Sequence, residues 1–106
     1  MNKESLIFVA GHNGMVGSSI VRLLKSKGFD NLITKSSSEL DLKDTNAVSS
    51  FFSTHNIEYV FLCAAKVGGI LENSNKPGEF LYDNLMIQNN VIHQSFLHKV
   101  KKLLFL

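Results

Sequence analysis

Gly11, Gly14 and Gly17 recur at every third position in the segment Gly11-His12-Asn13-Gly14-Met15-Val16-Gly17. Glycine at this spacing suits the handling of phosphate. Gly11 permits a tight turn, Gly14 lets backbone approach a pyrophosphate with no Cβ in the way, and Gly17 lets a helix pack closely on a sheet. A helix that begins here offers free N–H groups and about half a positive charge to an anion at its N-terminus. No Gly-Lys-Ser/Thr follows, so this is not a Walker loop. The spacing points to a dinucleotide.

Further along, Lys35-Ser36-Ser37-Ser38 supplies a cation and hydroxyls, and Ser37 stands 20 residues beyond Gly17. Folds that bind NAD commonly place an acid there, on the ribose 2′-hydroxyl. A cation and hydroxyls suit a 2′-phosphate better, so NADP is favoured, while Glu39 nearby keeps NAD open. The serines also read as plain loop. Lys66 could meet a phosphate or a substrate oxygen, or be an exposed loop lysine.

Other chemistry finds little support. His93 and His98 are five residues apart and off one helical face, with no thiol or carboxylate cluster beside them, so no metal is expected. His12 lies in the glycine loop and reads equally as ligand contact or loop packing. There is no Gly-x-Ser-x-Gly elbow. Tyr59 is followed four residues later by Cys63, and Tyr82 by Met86. Neither tyrosine has the lysine that would lower its pKa for proton donation to a carbonyl, so no catalytic residue is assigned. Of Asp41 and Asp44, one reads as a neighbour of an adenosine and the other as a helix cap. Cys63 reads as a small buried apolar residue.

The elements that must position these groups follow from periodicity. Leu6 to Ala10 is a continuous apolar run, as in a strand buried on both faces. Met15, Val16, Ile20, Leu23 and Leu24 recur at helical spacing, and Gly28 stands where a helix would end. Leu32 to Thr34 predicts a second strand, and Asp44 or Thr45 caps a helix carrying Ala47, Val48, Phe51 and Phe52. Tyr59 to Ala65 predicts a third strand, Lys66 to Gly78 a loop, and about Glu79 to His98 a long helix with Leu81, Leu85, Ile92 and Phe96. Leu103 to Leu106 predicts a fourth strand. Alternating strands and helices imply an α/β fold, a Rossmann-type doubly wound parallel sheet, of which this chain is a portion with four strands and three helices. The doubly wound order would make the first and fourth strands neighbours, with the ligand at the switch point between them.

Composition sets outer bounds. The 106 residues carry a net charge of +2, with 44% hydrophobic and 19% charged residues. That is globular composition, sized for a single small domain. The charge is too low to argue for nucleic acid or an anionic membrane surface. The five-residue apolar run is too short for a signal-peptide core or a membrane span. A single cysteine suits a reducing, cytoplasmic setting.

Three segments together resemble the GDP-L-fucose synthases, a family within the extended short-chain dehydrogenase/reductases. They are Gly11 to Gly17, Ala64-Ala65-Lys66-Val67-Gly68-Gly69-Ile70, and Tyr82-Asp83-Asn84-Leu85-Met86-Ile87. The resemblance spans the chain through Lys102-Leu103-Leu104-Phe105-Leu106. It implies an NADP-dependent reaction on GDP-4-keto-6-deoxy-D-mannose, in which carbons 3 and 5 are epimerised and the 4-keto group is reduced. It further implies that Gly11, Asn13, Gly14, Met15, Val16 and Gly17 hold the pyrophosphate, that Ser37 to Leu42, with Asp41 among them, border the adenosine, and that Ala64 and Ala65 line the cofactor cleft. Homodimers through the helix at 79–98 are implied as well. Two departures stand out: the family often has Arg where this chain has Asn13, and Arg near Ser37, so either NADP is held more weakly here or Lys35 compensates. By the same resemblance the catalytic Ser, the Tyr-x-x-x-Lys pair and the epimerisation Cys and His lie beyond the fourth strand. Residues 1–106 would then be an incomplete NAD(P)-binding domain, without the substrate domain and inactive alone. The competing expectations are a non-catalytic NADP-sensing module and a truncated reading frame whose terminal strand leaves an apolar edge unpaired.

Overall fold

The computed structural model describes residues 1–64 and 77–106, and in the helix that begins at Pro77 the side chains of Pro77 and Phe80 are not described. Four strands, β1 (Ile7–Ala10), β2 (Leu32–Ile33), β3 (Tyr59–Leu62) and β4 (Lys102–Phe105), alternate with three helices, α1 (Met15–Ser26), α2 (Thr45–Thr54) and α3 (Pro77–Leu97). The strands form one parallel sheet in the order β2-β1-β3-β4.

This order corrects one expectation. β1 pairs with β3, in the register Ile7↔Tyr59 to Ala10↔Leu62, and β4 lies outside β3. The reversal therefore falls between β1 and β3, not between β1 and β4. The physical reason lies in Lys35 to Lys43, whose apolar residues are only Leu40 and Leu42. It has too little apolar surface for a buried strand and runs as turns, so the chain passes from β2 straight to α2.

Element ends also shift. β3 stops at Leu62, which leaves Cys63 just past the strand instead of inside it, although its N–H still donates to Ala10 O at 2.8 Å. Pro77 and Gly78 start α3 instead of ending a loop. Proline suits the first helical position, where its missing N–H costs nothing. β2 holds Leu32 and Ile33 without Thr34.

The continuous run of β1 is explained by its two covered faces. Phe8 and Ala10 pack with Val48, Phe51, Phe52, Val60, Leu62, Ile87 and Val91 beneath α2 and α3. Ile7 and Val9 pack with Leu24 and Cys63 on the α1 side. Local signals close the helices. Asp44 caps α2, its Oδ1 accepting from Ala47 N–H at 3.1 Å. α1 ends at Gly28, whose φ is +88°. Gly28 N–H bonds Lys25 O and Phe29 N–H bonds Leu24 O, both at 3.0 Å, which is the glycine-terminated Schellman pattern.

Candidate cofactor cleft

Gly11 leaves β1 with φ +87°, a conformation L side chains rarely adopt. A Cβ there would sit 2.6 Å from Ala64 Cα and 2.7 Å from the Cys63 carbonyl carbon. The backbones leaving β1 and β3 therefore touch, and only glycine allows it. A Cβ on Gly17 would lie 1.9 Å from Gly11 O, so α1 rests on the loop backbone to backbone. Gly14 differs. Its nearest neighbour would be Gly11 O at 3.6 Å, an ordinary van der Waals contact, so the fold itself does not demand glycine here.

Gly14 is also the N-cap of α1, with no side-chain cap and no acid in the first turn. The first amides of a helix have no intrahelical partner, so Met15, Val16 and Gly17 present N–H groups with partial positive charge. A turn of this kind can receive an anion from outside.

A cleft of about 410 Å³ opens beside this turn, at the carboxyl ends of β1 and β3. Its loop wall is Gly11 to Gly14. Opposite stand Lys35, Ser36 and Ser37, then Leu40 to Lys43. Ala64 and Ile87 also line it. The structure thus brings together Gly11, Asn13, Gly14, Lys35, Ser37, Asp41, Leu42 and Ala64 from the sequence-derived set. Met15, Val16 and Gly17 are not among the residues that line it and form the first turn of α1. Ala65 and Lys66 lie outside the described residues.

Polar bonds hold the far wall in place. Asn90 of α3 donates from Nδ2 to Leu42 O at 2.9 Å, and its Oδ1 accepts from Thr45 Oγ1 at 3.0 Å. Asp41 Oδ1 accepts from Lys43 N–H at 3.0 Å, an Asx turn that fixes the bend. Glu39 is used up locally: its Oε1 accepts from Ser36 N–H at 2.8 Å, and that bond holds its carboxyl below the ordinary carboxylate range. It is not on the cleft wall. The acid that kept NAD open is turned to the support of its own loop.

Two cleft residues lie outside every stretch that the sequence assigned to the site, Lys43 and Ile87, while Leu40 was covered only within Ser37 to Leu42. The alternation Leu40-Asp41-Leu42-Lys43 was a usable signal, since Leu40 is buried and Asp41 and Lys43 are exposed. Ile87 had no such signal, because α3 carries apolar residues on two faces. Burial pushes the Cys63 thiol up, in keeping with an inert packing residue.

The model of the NAD dependent epimerase/dehydratase family matches residues 7–106. The chain belongs to that family. Among its relatives, a putative GDP-L-fucose synthase 2 of Arabidopsis thaliana is 55% identical over 106 residues, covering 100% of this chain and 32% of the relative. The GDP-L-fucose synthase of Escherichia coli (strain K12) is 48% identical over 106 residues, 100% of this chain and 33% of that protein. The solved structure of MlghC, a GDP-mannoheptose C4 reductase from Campylobacter jejuni with NADP bound, is similar with a TM-score of 0.93 at 48% identity. That match covers 99% of this chain and 33% of the reductase. The chain thus spans about a third of the length of the relatives it matches. Among the described residues, no helix is long and apolar enough to cross a membrane.

Proposed function

We propose that the cleft binds NADP, as the cofactor-binding segment of a nucleotide-sugar epimerase/reductase that converts GDP-4-keto-6-deoxy-D-mannose to GDP-L-fucose. The observation that carries the reading is the uncapped, acid-free first turn of α1, set behind a glycine loop that faces an open cleft at the sheet's reversal point. The relatives at 48–55% identity supply the substrate class. When bound, the nicotinamide supplies the hydride for the 4-keto group. This chain's residues bind and orient. Gly14 and the α1 amides receive the pyrophosphate, Leu40 and Leu42 offer apolar surface to the adenine, and Asp41 offers a carboxylate oxygen to its amino group. The donors and bases for chemistry on the sugar belong to the rest of such an enzyme, so the isolated segment has no turnover.

The same reading includes a cytoplasmic setting and a homodimer through α3. Its support is a stripe on the outer face of that helix, where Leu81, Tyr82, Leu85, Ile92 and Phe96 are all exposed. Helix pairs bury stripes of this spacing.

Calorimetric titration with NADPH and with NADH tests the cofactor reading. Binding of NADPH in clear preference to NADH, with no reduction of the keto sugar by the segment, is expected. Folded protein that binds neither dinucleotide would overturn it.

A further inference from the structure

A second cleft, of about 300 Å³, shares His12 with the first. Its walls are Ser18, Arg22 and Lys25 of α1, with Thr34 just past β2. Among the described residues, two cations and two hydroxyls line it beside Val21 and Leu32, and no carboxylate does. The first cleft differs, since Asp41 shares its wall with Lys35 and Lys43. An anion placed between the two clefts is drawn toward the acid-free one.

Position agrees with charge. The second cleft opens at the carboxyl end of β2, the place where this fold brings the adenosine ribose. Thr34 is followed directly by Lys35 of the first cleft. Between the two, His12 Nδ1 is buried with no hydrogen-bond partner among the described residues. A buried ring nitrogen without a partner points to a group that arrives on binding. Asn13 and Ser37 bring no charge to this corner. Arg22 does, and its guanidinium presents a planar fork of donors matched to a phosphate. One of those donors, Nη2, is steadied by Ser19 Oγ at 3.1 Å.

We propose that Arg22 is the specificity residue that reads the cofactor's 2′-phosphate, with Ser18, Thr34 and His12 closing the anion site around it. The proposal rests on the NADP reading above and names the residue that makes it selective. Lys35 serves the first cleft and is secondary for this choice.

The test uses the adenosine half alone, by calorimetric titration of the chain with adenosine 2′,5′-bisphosphate and with AMP. The wild-type chain binds the bisphosphate more tightly. Arg22→Ala lowers bisphosphate affinity by roughly tenfold or more, the scale of a charge-assisted bidentate contact, and leaves AMP affinity unchanged. Arg22→Lys restores part of the loss. Arg22 is exposed, so a thermal melt of both variants should match wild type. If Arg22→Ala keeps the bisphosphate preference while Lys35→Ala loses it, the assignment to Arg22 is wrong and the NADP reading stands. Equal wild-type affinity for the two ligands removes the 2′-phosphate site but not the dinucleotide cleft. Binding of neither overturns both readings.

Discussion

On the α2–α3 side of the sheet, Phe8, Val48, Phe52, Val60, Leu62 and Val91 are each 2% exposed or less. Three rings interlock there: Phe8 and Phe51 have centroids 4.8 Å apart, and Phe52 meets both edge-on at 6.1 and 5.7 Å. On the α1 side the buried set is Ile7, Val9, Leu24 and Cys63, while Met15, Val16 and Leu23 of the covering helix stay exposed. One face is held by side-chain volume. The other is held by backbone approach, at Gly17 and Gly11. The difference follows from what each face must do. α1 must bring its N-terminal amides to the loop, and bulky residues at the contact would push it away. The dense face is free of that demand and supplies the stability, while Leu40 and Ile87 carry it up to the cleft wall.

The largest expected effect breaks the dense face. Phe52→Ala removes a ring packed against two others and should cost about 3–5 kcal/mol in denaturant unfolding. Leu23→Ala on α1, at 50% exposure, should stay within about 0.5 kcal/mol. Equal costs would abolish the contrast between the faces.

Next comes the backbone contact of the α1 face. Gly17→Ala places a methyl group against Gly11 O, a backbone atom that cannot swing aside. It should cost about 1–3 kcal/mol and weaken dinucleotide binding as well. Calorimetry and a melt on the same sample separate the two effects. A variant that binds and melts like wild type would show that α1 does not rest on the loop.

A gain in stability is expected at the far end of α3. Lys99 has φ +57°, and its N–H bonds Phe96 O while Val100 N–H bonds Ser95 O. This is the ending that α1 makes with Gly28, made with a side chain that disfavours it. Lys99→Gly should add about 0.5–1 kcal/mol, read as a higher unfolding midpoint. Gly28→Ala should move the midpoint the other way.

The smallest effect concerns Glu58, at the end of the sheet away from the cleft. Its Oε1 accepts from Lys101 Nζ at 3.0 Å and its Oε2 accepts from Leu6 N–H at 3.1 Å. The Lys101 bond first, then the Leu6 N–H, holds its carboxyl below the ordinary value, and the same partner holds the Lys101 ammonium above its own. A depressed folded value means the contribution is present above the unfolded pKa and is lost as pH falls through the folded one. The Lys101 contribution is lost instead as pH rises through its raised value. Glu58→Gln should flatten both limbs of the stability profile slightly. An unchanged acid limb would mean that solvent screening cancels the pair.

Much of this was legible in the residues. The apolar run of β1, the glycine loop, the Asp44 cap and the Gly28 stop are local signals, and each appears where the spacing put it. The cleft wall was legible in part, because Lys35, Ser37, Asp41 and Leu42 follow β2 within a few residues. α3 was the harder case. Leu81, Leu85, Ile92 and Phe96, its evident apolar positions, are exposed, and the buried side includes Asn90, Gln94 and Ser95. Two stripes of similar hydropathy leave no local reason to prefer one. The choice went to the stripe whose Asn90 could bond Leu42 and Thr45.

By itself, then, the sequence determined the order of the elements, the Asp44 cap, the Gly28 stop and the glycine turn, because these depend on φ, capping and periods of a few residues. The tertiary structure decided that β1 lies between β2 and β3, which face of α3 turns inward, and that His12, Arg22 and Thr34 meet at one cleft. Those outcomes depend on which distant surfaces bury one another and which buried polar groups find partners. Neither quantity belongs to a single segment of chain.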